Sequence, residues 1–152
     1  MSRGGSVTTN QLIEAAARKS FQILIVDDSP EDIRLIKDAF SLWKSSRTVQ
    51  TCLNGMDALD CVKSARDGDR PDLIVLDWNL PGMKGEQVLE HLKKDRAVSN
   101  IPVVVFTSSS APSDKARATQ LGAERFITKP LDIDEFFNVI AGLEDLVKTR
   151  GR

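Results

Sequence analysis

Cysteine and histidine are scarce in this 152-residue sequence, which holds only Cys52, Cys61 and His91. The two cysteines lack zinc-type spacing and are too few for a disulfide framework, so they read as reduced, half-buried thiols of a cytoplasmic protein. His91 falls within a helical pattern among Glu90, Lys93 and Lys94 and reads as a solvent-exposed side chain, not a phosphodonor or metal ligand. No apolar run approaches the roughly 18 residues a membrane helix needs. Residues 1–20 carry no apolar signal-peptide core. Neither charge dominates: 21 basic and 22 acidic side chains leave a net charge of −1. No global field therefore recruits nucleic acid or anionic lipid. There is no GxxxxGK[ST] phosphate loop, no internal repeat and no low-complexity segment.

What is present is the composition of a globular protein, 41% apolar and 28% charged, in a chain long enough for one domain with a real core. Residues 1–19 read as a flexible extension with a short frayed helix over 9–18, and residues 20–149 as the folded domain. Five strands are expected, at Ile23–Val26, Val49–Cys52, Leu73–Leu76, Val103–Phe106 and Arg125–Thr128. A helix follows each. The first runs from Pro30 to Trp43, with Ser29 as its cap, proline at its first position, and Glu31 and Asp32 set against the dipole. Ile33, Ile36, Phe40 and Trp43 share one face. The second opens at Asn54-Gly55, the third carries Val88, Leu89 and Leu92, and the fourth, over Ser113–Leu121, has little apolar surface and stops at Gly122. The last spans Asp132–Val147. Ser64–Pro71 is a polar surface loop. Alternation of this kind, with right-handed crossovers, gives a doubly wound α/β sheet with helices on both faces. Few residues follow the last helix, so no output domain is expected.

Charges close three of the apolar strands. Asp27-Asp28 follow the first, Asp77 the third, and Lys129-Pro130 the fifth. Residues just past the ends of parallel strands meet in one crevice outside the carboxyl edge. Three carboxylates so close repel one another, and a hard divalent cation with oxygen ligands removes the conflict. One ammonium beside them suits a phosphoryl group. Pro130 argues for a fixed turn, with a cis bond as one way to make it.

Val26-Asp27-Asp28-Ser29, Leu76-Asp77-Trp78-Asn79-Leu80-Pro81-Gly82-Met83, Thr107-Ser108 and Lys129-Pro130, in that order and each ending a strand, resemble the receiver domain of two-component response regulators. The resemblance covers residues 22–147. It implies the flavodoxin-like five-stranded parallel sheet in the order 2-1-3-4-5. It also implies Mg²⁺ held by Asp28 and Asp77, with Asp27 acting through a water and the Asn79 main-chain carbonyl completing the protein ligands. Asp77 is the implied phosphoacceptor, attacking a phosphohistidine of a sensor histidine kinase or phosphotransfer protein. Lys129 and Thr107 would meet the phosphoryl oxygens, and Ser108 is small enough to admit them. Thr107 and Phe126 are the implied switch pair, Phe126 standing where many relatives carry tyrosine. Asn79 and Ser109 occupy positions that tune hydrolysis.

The same resemblance makes the chain a signalling protein, catalysing only its own phosphorylation and dephosphorylation, that acts on a downstream protein or relays phosphate. Neighbouring Phe136 and Phe137 cannot both face the sheet, which suggests a homodimer through the face of the fourth helix, fifth strand and fifth helix. No nucleic acid or membrane is implied. The Ser64–Pro71 loop, Arg70-Pro71-Asp72-Leu73-Ile74, Asn100-Ile101-Pro102-Val103 and the stretch from Leu131 to Leu146 look like stand-alone receivers paired with bacteriophytochrome kinases. Trp78 departs from the usual small aliphatic residue and is expected to crowd the pocket mouth. A phosphorylation-independent pseudo-receiver is the second reading, against which the intact Asp27, Asp28, Asp77, Thr107 and Lys129 weigh. A phosphatase or flavin protein on the same sheet is the third.

Overall fold

The computed structural model describes residues 20–150 together with Thr8 and Thr9. The expected extension and frayed helix thus lie, apart from those two threonines, outside the described residues. Five parallel strands, β1 (Phe21–Val26), β2 (Arg47–Cys52), β3 (Leu73–Leu76), β4 (Val103–Thr107) and β5 (Arg125–Thr128), form one sheet in the order 2-1-3-4-5. The helices between and after them are α1 (Pro30–Phe40), α2 (Gly55–Ser64), α3 (Gly85–Lys94), α4 (Pro112–Gln120) and α5 (Ile133–Arg150).

Both faces of the sheet are covered, so β3 is apolar at every position and β1 and β4 nearly so. Alternate residues still go opposite ways. Leu24, Val26, Ile74, Leu76, Val103 and Val105 meet Ala58, Leu59 and Val62 of α2 and Val88, Leu89 and Leu92 of α3. Ile23, Ile25, Leu73, Val75, Val104 and Phe106 meet Ile33, Ile36 and Phe40 of α1 and Phe136, Ile140 and Leu143 of α5. Burying each of the Val, Leu, Ile and Phe side chains stabilises the fold by about 1.5–3 kcal/mol, and the in-register pairs Val26 with Leu76 and Leu76 with Val105 align the strand ends.

Several boundaries differ from the sequence reading. The helix α1 stops at Phe40, where the chain tightens: Leu42 N donates to Ala39 O at 3.0 Å and Trp43 N to Phe40 O at 3.0 Å. Trp43 remains buried beyond the helix end, and its Nε1 donates to Ile140 O on α5 at 3.0 Å. β2 begins at Arg47, because an edge strand needs only one ladder of backbone bonds and tolerates polar side chains. Asp132 lies outside α5 and caps it, accepting from Glu135 N at 3.0 Å. The α4 helix starts at Pro112 and buries only Ala118. The Ser64–Pro71 loop holds one 3₁₀ turn, Asp67–Asp69. Among the described residues no peptide bond is cis. The Lys129-Pro130 bond is therefore trans, and the turn is fixed by Lys129 N donating to Thr107 O at 2.7 Å. No helix of the described residues is long and apolar enough to cross a membrane.

Candidate functional site

Strand ends place the charges. Asp27 continues β1, its N–H donating to Cys52 O at 3.1 Å, and Asp77 continues β3, its N–H donating to Val26 O at 2.9 Å. Each carboxylate then anchors itself by one oxygen: Ser29 N donates to Asp27 Oδ1 at 2.9 Å, and Asn79 N to Asp77 Oδ1 at 3.1 Å. Such local bonds are how aspartate shapes a turn. Asp27 and Asp77 are buried while Asp28 is exposed. One ligand oxygen from each of the three lies within 4.8 Å of the others. A backbone-to-backbone fit holds this end of β3 in place, with Gly85 N donating to Trp78 O at 3.1 Å. A methyl group on Gly85 would meet Asp77 O and, at 2.7 Å, Trp78 Cα.

The second oxygens face Lys129, whose ammonium lies 2.8 Å from Asp27 Oδ2, 2.8 Å from Asp32 Oδ2 and 3.4 Å from Asp77 Oδ2. Burial pushes the Asp27 carboxyl above its ordinary value, against the pull of the Lys129 and Ser29 bonds. At Lys129, burial opposes the charge, but the bonds to Asp27 and Asp32 and the fields of Asp27 and Asp77 outweigh it and hold its pKa above the ordinary lysine value. The amine is thus a fixed cation. Three carboxylates surround the ammonium, and two of them, Asp27 and Asp77, join Asp28 in offering hard oxygen donors at one point. That donor set fits a hard divalent cation.

The remaining expected residues gather around this cluster to different degrees. Thr107 closes β4 fully buried; Ser109 N approaches its Oγ1 at 3.4 Å and Asn79 Nδ2 at 3.5 Å. Asn79 and Ser108 are exposed at the rim. Ser109 turns its hydroxyl to Asp114 Oδ2 at 2.6 Å, where it caps the approach to α4. Phe126 is half-buried and meets Trp78 edge to face. Trp78 itself does not crowd the mouth. It is 5% exposed and belongs to the core beneath α2 and α3, because the residue after Asp77 points to the opposite side of the chain. His91 is exposed, Phe136 is buried, and Phe137 is half-buried against the α1 and α5 core.

Asp32 is the residue that sequence reasoning missed. The helix dipole alone accounts for an acid at this position. Its signal was available in the capping pattern: Ser29 Oγ accepts from Asp32 N at 3.2 Å, and a first-turn side chain after β1 lies beside the carboxyl edge of the sheet.

A family model described as the response regulator receiver domain matches residues 23–141. The polar-differentiation response regulator DivK of Brucella anthropi is 33% identical over 118 residues, 78% of this chain and 91% of that protein. The phosphorylated cyanobacterial phytochrome response regulator RcpA superposes with a TM-score of 0.79 at 32% identity, over 87% of this chain and 96% of that one. The Mn²⁺-bound response regulator Rcp1 does so with a TM-score of 0.75 at 29% identity, over 82% and 92%.

Proposed function

The chain belongs to the response regulator receiver domain family, and from that premise we propose that it accepts a phosphoryl group on Asp77 from a histidine kinase or phosphotransfer protein. The observation that carries this reading is the placement of Asp77: buried at a strand end, within 4.8 Å of two further carboxylates and 3.4 Å from a permanent ammonium. Phosphoryl transfer asks a protein chiefly for positioning and charge neutralisation. The Asp77 carboxylate oxygen bonds to phosphorus as the bond from phosphorus to the donor imidazole breaks, and the imidazole nitrogen keeps the electron pair. Lys129 meets the charge on the transferred oxygens. Thr107 offers a hydroxyl, and Ser108 leaves room for the group.

Mg²⁺ is the cation proposed for the acidic cluster, held by Asp28 and Asp77, by Asp27 through a water and by the Asn79 main-chain carbonyl. When bound it supplies charge neutralisation at the phosphoryl oxygens. Mn²⁺ in the related Rcp1 supports a divalent cation here.

Signalling would follow from a shift between two conformations, with Thr107 moving toward the phosphoryl group and Phe126 taking up the space. Asn79 and Ser109 would set the lifetime of the phosphate. The output is docking on a partner protein or relay of the phosphate in the cytoplasm, with a homodimer through α4, β5 and α5 as one form of it. The only catalysis is of the chain's own phosphorylation and dephosphorylation. Phosphorylated phytochrome response regulator RcpA as a structural relative favours a bacteriophytochrome-type kinase as donor.

The test uses phosphoramidate or acetyl phosphate with Mg²⁺, read by a phosphate-affinity gel. A shifted band is expected from the wild type and none from Asp77→Asn or without the metal. A wild type that stays unshifted, or a shift that survives Asp77→Asn, overturns the reading.

A further inference from the structure

The Lys129 ammonium has three protons to give and three carboxylates around it, and it does not share them equally. Asp27 and Asp32 are each at 2.8 Å and Asp77 is at 3.4 Å. Asp27 and Asp77 both belong to the cluster whose oxygens converge within 4.8 Å, and Asp32 does not. It stands on the first turn of α1. The Asp32 backbone is fixed there by the Ser29 cap, at 3.2 Å, so its carboxylate extends from a helix turn and not from a loose chain. We propose that Asp32 is a positioning residue for Lys129: it draws the ammonium toward α1 and away from Asp77, and so restrains the capture of a phosphoryl group.

The inference rests on the phosphoacceptor reading of Asp77 and deepens it. In the arrangement described, the short bonds go to Asp27 and Asp32, and the contact to Asp77 is too long for a strong charge-assisted bond. A phosphoryl group on Asp77 needs the ammonium at its own oxygens. Each approach to them has to stretch or break the bond to Asp32. Asp32 keeps 34% of its side chain exposed, so water can take over its hydrogen bond when Lys129 leaves. The exchange is therefore reversible. Asp32 sets the balance between a parked and an engaged lysine without touching the reacting atoms.

Beryllofluoride affinity at saturating Mg²⁺ and the rate of phosphorylation by phosphoramidate test this in four proteins: wild type, Asp32→Asn, Lys129→Met and the double variant. Asn keeps the size of the side chain and the local cap, and thermal melting checks that each variant folds. Asp32→Asn is expected to bind beryllofluoride more tightly and to phosphorylate faster, each by roughly fivefold. In the Lys129→Met background the same substitution should change neither value by more than about 1.5-fold, since no lysine is left to release. Asp32→Glu, which restores the charge, should return toward wild type. An Asp32→Asn protein equal to or slower than wild type overturns the proposal. So does a gain that persists without Lys129, which would make the effect one of through-space charge alone. A wild type that takes up no phosphoryl group at all fails the Asp77 reading instead.

Discussion

The rings of Trp78 and Phe126 meet edge to face, their centroids 6.3 Å apart and their planes at 77°. One ring belongs to the residue after Asp77 and the other to the middle of β5, so the contact joins the proposed phosphoacceptor to the proposed switch strand. Trp78 emission is expected to change when beryllofluoride and Mg²⁺ are added, provided Trp43, buried on the opposite face, is first replaced by Phe. Phe126→Ala should remove most of that change and cost about 3 kcal/mol or less, since the ring is only half-buried. Unaltered emission in the Trp43→Phe protein, under conditions where phosphorylation is seen, would show that the pair does not move.

Gly85 is where α3 begins against the backbone of the Asp77 loop. Any added methyl would meet backbone atoms of Asp77 and Trp78, which cannot step aside as a flexible side chain can. Gly85→Ala is expected to destabilise the fold by about 1–3 kcal/mol and to push the Asp77 loop outward. Melting temperature reports the first effect and Mg²⁺ affinity the second. An alanine variant with wild-type values of both would mean that α3 can shift without cost.

Much of this was legible in the sequence because the informative residues end strands. Asp27, Asp77 and Lys129 each follow a run of apolar residues, and the sheet order brings those ends together whatever the loops do. Asp32 was hidden because the helix dipole already explains an acid in a first turn, and nothing in the letters says which way its carboxylate leans. Trp78 was misplaced for a related reason. Its neighbour's chemistry drew it toward the pocket, while the alternation of the extended chain sends it into the core. Helix ends such as Phe40 depend on tertiary contacts, here the Trp43 bond to Ile140, which a periodic pattern does not contain.

Cys52 should be a sluggish thiol. Burial, with the charge of Cys61 and Asp57 adding to it, pushes its pKa from 9.0 up to about 11. The raised value means that the folded chain keeps its proton where the unfolded chain has lost it. The stability this group contributes is complete below about pH 9 and is lost as pH rises through about 11. At pH 8, iodoacetamide is expected to label Cys52 about 100-fold more slowly in the folded protein than in urea, from thiolate fraction alone. Peptide mapping of the alkylated protein measures this. Equal labelling rates would place the thiol in open solvent.

The Asp27 carboxyl is pushed above its ordinary value of 3.8 by burial, so its charged form works against the metal-free fold. Its favourable contribution is full below pH 3.8 and is lost as pH rises through the raised value; at neutral pH only the penalty remains. Asp27→Asn removes that penalty and leaves Lys129 its bond to Asp32 at 2.8 Å. In EDTA at pH 7 the variant is expected to be more stable than wild type and to melt at a higher temperature. A divalent cation should reverse the order, because it binds the folded carboxylates and stabilises wild type by mass action. Melts in EDTA and in Mg²⁺ decide the matter. An Asp27→Asn protein that is less stable than wild type in EDTA would mean that the Lys129 bond outweighs the burial of the charge, and that the acidic cluster is satisfied without a metal.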